Sequence, residues 1–167
     1  LAFWEAQLTN QIVGTVPSRV RAVEHFAGVR TDKSRELLAA SLASDSFYGV
    51  RAEAAKALGK SKGDIARDAL LAGLTQKDAK VRRACATALG NFKGDDNVQT
   101  ALRKKQVEGD ISYFVESSVL SSLSKVLDDP PVDLLITALD KPSHRETIRL
   151  AALQELAKSS DPKVLDV

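Results

Sequence analysis

The sequence has no methionine, a single cysteine and a single tryptophan, and aromatic residues make up only 5% of it. With one cysteine, Cys85, no intramolecular disulfide can form and the redox compartment is unreadable. Scarce aromatics beside abundant alanine and leucine favour close-packed helices over a sandwich or barrel, whose strands want β-branched and aromatic side chains. Neither sign of charge is in excess. The 24 basic and 22 acidic residues leave a formal net charge of +2, which gives no electrostatic reason to expect a nucleic-acid partner. No apolar run is long enough to cross a bilayer, so no membrane insertion is expected. The start, Leu1-Ala2-Phe3-Trp4-Glu5, lacks the basic opening and apolar core of a signal peptide. The missing methionine, and a terminal Ser160-Asp161-Pro162-Lys163-Val164-Leu165 that reads as a helix start without its helix, suggest a fragment of a longer protein. What is present is a chain of 167 residues, 44% hydrophobic, able to bury a real core.

The strongest pattern is internal repetition. Phe47-Tyr48-Gly49-Val50-Arg51-Ala52-Glu53-Ala54-Ala55-Lys56-Ala57-Leu58-Gly59 returns as Val81-Arg82-Arg83-Ala84-Cys85-Ala86-Thr87-Ala88-Leu89-Gly90, with Val50 and Val81 lying 31 residues apart. The matched residues Val50/Val81, Ala54/Cys85, Ala57/Ala88 and Leu58/Leu89 form one stripe of a helix. Small residues on that stripe let a neighbouring helix approach closely. Gly59 and Gly90 are expected to end their helices by taking the left-handed conformation. Ile148 to Ala157 repeats the pattern. Val115 to Leu123 keeps the stripe but has Glu116 at the arginine position, and Arg19 to Gly28 is a weaker copy, ambiguous by one residue, with Val20, Val23 and Phe26 as its expected core face.

Between these runs lie second helices: Leu37, Leu38 and Leu42; Ile65, Ala69, Leu70 and Leu74; Val98, Ala101 and Leu102; Leu134, Leu135, Ala138 and Leu139. Turn chemistry at Asp45-Ser46, Lys77-Asp78 and Lys141-Pro142-Ser143 separates the members of each pair. The predicted unit is a helical hairpin that cannot bury its stripe alone and must stack on its neighbours. One α-solenoid domain over residues 1–167 follows, with an irregular hairpin at 1–28, repeats at 31–59, 64–90, 95–127 and 130–158, and the truncated start of another at 160–167.

The segment Asp78 to Gly90 resembles HEAT repeats. The resemblance implies an all-α, right-handed α–α superhelix. It also implies a ladder in which Arg51, Arg82 and Arg149 tie to acids in neighbouring turns, such as Asp78, and which breaks at Glu116. A narrower likeness joins Phe47–Gly59, with Trp4 to Leu8, Arg19 and Ala22, to the C-terminal helical region of bacterial aminopeptidase N-type zinc metallopeptidases. It implies a non-catalytic accessory domain that packs on a catalytic domain and limits access to its active site. Zinc would then sit in the parent protein, whose H-E-x-x-H motif this sequence lacks. The alternative is part of a HEAT-repeat scaffold binding another protein.

The chemistry-bearing residues read mostly as structure. His25 and His144 have no ligand partners at metal spacing, so no cofactor is expected in this chain, and Cys85 fills a small-residue slot. Phe47, Tyr48, Tyr113 and Phe114 precede second helices, either as hydrophobic staples or as a docking edge. Arg103-Lys104-Lys105 complements a helix C-terminus, while Lys80 to Arg83 lies at a helix start. Gly109-Asp110 marks a longer turn, and Asp128-Asp129-Pro130-Pro131 a helix cap rather than a calcium loop. HEAT-like stacks include base-excision DNA glycosylases and bilin lyases. A glycosylase would need a basic face with aromatics and a carboxylate, which the near-neutral charge and the lone Trp4 disfavour.

Overall fold

A computed structural model describes residues 2–9 and 14–166. Residues 10–13, within the expected irregular hairpin, and the last residue of the expected further repeat lie outside the described residues. Every regular element among the described residues is helical, giving an all-α fold of the α–α superhelical repeat class. The helices gather into two compact units, residues 1–89 and 90–167.

The first unit holds α1 (Ala2–Thr9), α2 (Val16–Gly28), α3 (Asp32–Ser44), α4 (Tyr48–Ser61), α5 (Asp64–Gly73) and α6 (Ala79–Leu89). The helices α2, α4 and α6 lie side by side with α4 in the middle, and α3 and α5 form a second layer against them. Local signals start the helices. The Thr15 hydroxyl accepts from the Ser18 N–H with Pro17 in the first turn of α2, and Thr31 and Ser34 cap α3 reciprocally. The stripes meet in the middle: Val50, Ala54, Leu58, Val81, Cys85 and Leu89 are fully buried. So is Ala55, because the middle helix α4 packs on more than one side, and so is Ala86 of α6. In α2 the buried residues are Arg19, Ala22, Val23 and Phe26, and Val20 is only half-buried. This corrects the expected core face and settles the register, since Arg19 aligns with Arg51 and Phe26 with Leu58.

The role expected of Gly59 and Gly90 is also corrected. Neither has a positive φ, although α6 does end at Leu89, directly before Gly90. The helix α4 runs past Gly59 to Ser61 and stops at Lys62 and Gly63, whose φ values are 56° and 89°. A Cβ on Gly59 would stand 2.7 Å from Ala88 Cβ and 3.1 Å from Ala88 Cα. The glycine is a contact point where α4 and α6 nearly touch, not a stop signal.

The second unit holds α7 (Asp96–Glu108), α8 (Tyr113–Val126), α9 (Val132–Leu139) and α10 (Thr147–Leu156), with short 3-10 turns at His144–Glu146 and Pro162–Asp166. Asp95 caps α7 by accepting from the Val98 N–H at 3.0 Å. The helix α8 packs on α7 and α10, and α10 on α9. Leu120, Val132, Leu135, Ala138, Ile148, Ala152 and Leu156 form one core cluster, against which Val164 of the last turn also packs.

Candidate functional site

The polar position that recurs at the start of α2, α4, α6, α8 and α10 anchors the turn before its own helix. Arg19 Nη1 donates to the Gly14 carbonyl and Arg51 Nη1 to the Asp45 carbonyl. Arg82 Nη1 donates to the carbonyls of Gln76 and Lys77 at 2.8 and 2.9 Å. Arg149 Nε reaches the Leu139 carbonyl at 2.7 Å, and its Nη1 pairs with Glu146 at 2.8 Å. Asp78 accepts from the Lys80 N–H at 2.8 Å, while its own carbonyl accepts the first amides of α6. It therefore serves as a helix cap.

Ties between neighbouring hairpins join pairs that the sequence reading did not connect. Arg19 on α2 holds Asp45, in the turn between α3 and α4, through Nε at 2.8 Å and Nη2 at 3.2 Å. Both side chains are almost wholly buried, 5% and 1% exposed. A two-pronged guanidinium–carboxylate bond satisfies both charges there, which makes the burial tolerable. The next hairpin has Gln76 at the position of Asp45, and its amide donates to the carbonyls of Leu42 and Ala43 at 3.1 and 3.3 Å.

At Glu116 the tie does not break, as the resemblance implied; it reverses polarity. Glu116 Oε1 accepts from Lys141 Nζ at 2.8 Å, joining α8 to the turn after α9, and from the Asp110 N–H of its own turn at 3.0 Å. A carboxylate thus does by accepting what the arginines do by donating. Gly109 makes room: a Cβ there would lie 2.9 Å from that same oxygen, and its φ of 74° favours glycine. A sequence signal existed for both ties, because opposite charges sit 26 and 25 residues apart, near one hairpin length.

The four aromatic residues lie at helix starts in the two units. In the first, Phe47 is the N-cap of α4 and its ring lies over Gly49, where a Cβ would be 2.5 Å from Phe47 Cε1. The Tyr48 ring carries Lys80 Nζ 4.6 Å above its centroid, with the ammonium also 3.2 Å from the hydroxyl. That cation–π contact gives Lys80 at the start of α6 a partner. In the second unit Tyr113 and Phe114 open α8 rather than precede it, and both are exposed. Lys105 of the basic cluster pairs with Asp110 at 3.1 Å, and Lys104 lies 3.7 Å from Glu108.

The remaining candidates are local. His25 stacks on Trp4 at 5.1 Å and 18°, joining α1 to α2. His144 is exposed in its 3-10 turn, and its carbonyl accepts from the Thr147 hydroxyl. Burial pushes the Cys85 thiol up to about 12 from its usual 9.0, so it carries its proton at neutral pH. Among the described residues no group of three or more His, Cys, Asp or Glu side chains is placed to hold a metal. None of the described helices is long and apolar enough to cross a membrane.

The family model for HEAT repeats matches residues 16–90 and 35–124. No curated protein sequence matches. Among solved structures, 23 chains match. The complex of CpcE and CpcF of phycocyanin lyase from Nostoc sp. PCC7120 is similar with a TM-score of 0.68 and 21% identity, over 99% of this chain and 67% of that one. Human deoxyhypusine hydroxylase in complex with glycerol is similar with a TM-score of 0.66 and 17% identity, over 98% of this chain and 63% of that one. At such identities the likeness is one of fold. Neither structure brings a link to an aminopeptidase.

Proposed function

We propose that this chain, which belongs to the HEAT-repeat family, is a protein-binding scaffold. The observation that carries the reading is where its chemistry goes. The buried charges of Arg19, Asp45 and Glu116 are engaged in holding hairpins and turns together. The Cys85 thiol is kept protonated by burial, while Phe47, Tyr113 and Phe114 remain exposed at helix starts. Polar groups used this way supply order rather than reactivity, and exposed aromatics are the usual anchors of a binding surface. The fold's likeness to a structure solved as a complex of two proteins is in keeping with this role.

The test is site-resolved crosslinking of the full chain. A photo-reactive residue placed at Phe47 or Tyr113 should capture a defined protein, and the capture should be lost in the variants Tyr48→Ser and Phe114→Ser with helical circular dichroism unchanged. Equal capture from an unrelated exposed position such as Lys56 would refute it. A second reading, an accessory domain that packs on the catalytic domain of a zinc aminopeptidase, is supported only by the likeness of Phe47–Gly59, with Trp4 to Leu8, Arg19 and Ala22, to that family's helical region. An H-E-x-x-H segment in the same open reading frame would favour it, and further helical repeats in its place would remove it.

A further inference from the structure

Among the described residues nine large apolar side chains are exposed, and four of them, Val107, Ile111, Tyr113 and Phe114, fall within residues 107–114. Val107 and Ile111 are 88% and 94% exposed, while most other large aliphatic side chains of the unit are buried. Single exposed apolar residues need no explanation, but a cluster marks a contact surface.

The turn that carries them is held firmly from inside. Lys105 pairs with Asp110 at 3.1 Å, with side-chain exposures of only 19% and 4%. The Gly109 N–H donates to the Lys105 carbonyl, the Ser112 N–H to Asp110 Oδ1, and the Asp110 N–H to Glu116. A polar interior thus fixes the backbone of a turn whose outer side is apolar, so the positions from which the side chains project are set in advance. Preorganisation of this kind lowers the entropy lost on binding.

We propose that the turn joining α7 and α8 is a homotypic contact, on which a second copy of this chain docks about a two-fold axis. A two-fold contact requires a patch that contains its own complement. Here Arg103 and Lys104, both exposed, lie one turn before Val107, and exposed Glu108 lies beside it. The Glu108 carboxylate is 3.7 Å from Lys104 Nζ of the same copy, a loose surface pair that can exchange partners across the axis. Rotation of one copy brings its Glu108 to the Arg103 and Lys104 of the other while Val107 and Ile111 meet their counterparts. The area fits a weak pair. The four side chains expose roughly 500 Å² in each copy, taking about 150–250 Å² for a whole aromatic side chain. Two copies would bury about 1,000 Å², the lower bound for a specific interface. A contact at that lower bound with only a few anchors belongs to the weak, transient class, so the dissociation constant is sought on the order of 10–100 µM. The proposal rests on the scaffold reading and names the protein met by Tyr113 and Phe114 as a second copy of this chain.

Sedimentation velocity on the full chain tests it, from about 5 µM to about 0.5 mM so as to span that range. The expected result is a reversible monomer–dimer equilibrium. Ile111→Asp should weaken it at least about tenfold, with circular dichroism and urea midpoint unchanged because the side chain is already in water. Glu108→Lys should weaken it at low salt, and adding Arg103→Glu should restore it. A chain that stays monomeric throughout overturns the proposal and leaves the scaffold reading standing, the turn then facing another protein or none. A dimer indifferent to Ile111→Asp overturns it equally, because the contact would lie elsewhere.

Discussion

The packing of Cys85 against Gly73 offers a sharp test of how the first unit is built. Gly73 closes α5, and a Cβ there would overlap Cys85 Sγ and stand 3.3 Å from Cys85 Cβ and 3.5 Å from Leu42 Cδ2. The sulfur has no open side to retreat to, since Cys85 is fully buried. Gly73→Ala should therefore overpack the contact at a cost of about 1–3 kcal/mol. Alanine's better helix propensity returns about 1 kcal/mol at most at a helix end, so the net loss is roughly 0–2 kcal/mol. Cys85→Ala alone leaves a small void and costs about 1 kcal/mol. Combined, the new methyl occupies the volume the sulfur leaves. The double variant should lie close to the wild type, so the favourable coupling equals the two single losses together, about 1–3 kcal/mol. Urea unfolding followed by circular dichroism and by Trp4 fluorescence measures the cycle, because Trp4 belongs to the same unit and stacks on His25. Single effects that add to within about 0.5 kcal/mol would show that the two sites do not share one space.

Three further outcomes are expected. Asp45→Ala should cost about 3–5 kcal/mol by stranding the buried Arg19 guanidinium, and Arg51→Ala distinctly less; equal losses in urea titrations would contradict the assignment of the buried pair. Glu116→Arg should lose about 2–3 kcal/mol through the Asp110 amide and the Lys141 ammonium, and adding Lys141→Asp should recover only the ionic part, about 1 kcal/mol because Lys141 is partly exposed. The Cys85 thiol stays neutral when folded but ionises near its usual value when unfolded. The stability tied to it is therefore full below about pH 9 and is lost as pH rises toward 12, by at most about 1.4 kcal/mol per pH unit. Urea midpoints measured across that alkaline window should fall less steeply in Cys85→Ala, and parallel slopes would refute the cause.

The sequence by itself determined that the chain is built of helical hairpins. The stripe Val50–Ala54–Leu58, its return at Val81–Cys85–Leu89 and caps such as Thr31 act over one or two turns, and physics of that range is written in neighbouring residues. The tertiary structure alone decided what the glycines and the charges do. Gly59 carries the same letters whether it ends a helix or lets Ala88 come within contact, and only the position of α6 separates the two. Arg19, Asp45, Glu116 and Lys141 likewise acquire their meaning from partners 26 and 25 residues away, because a buried charge is defined by what stands opposite it. The sequence showed that a carboxylate had replaced an arginine at Glu116. That a lysine waited across the turn to meet it was settled only when the hairpins were folded side by side.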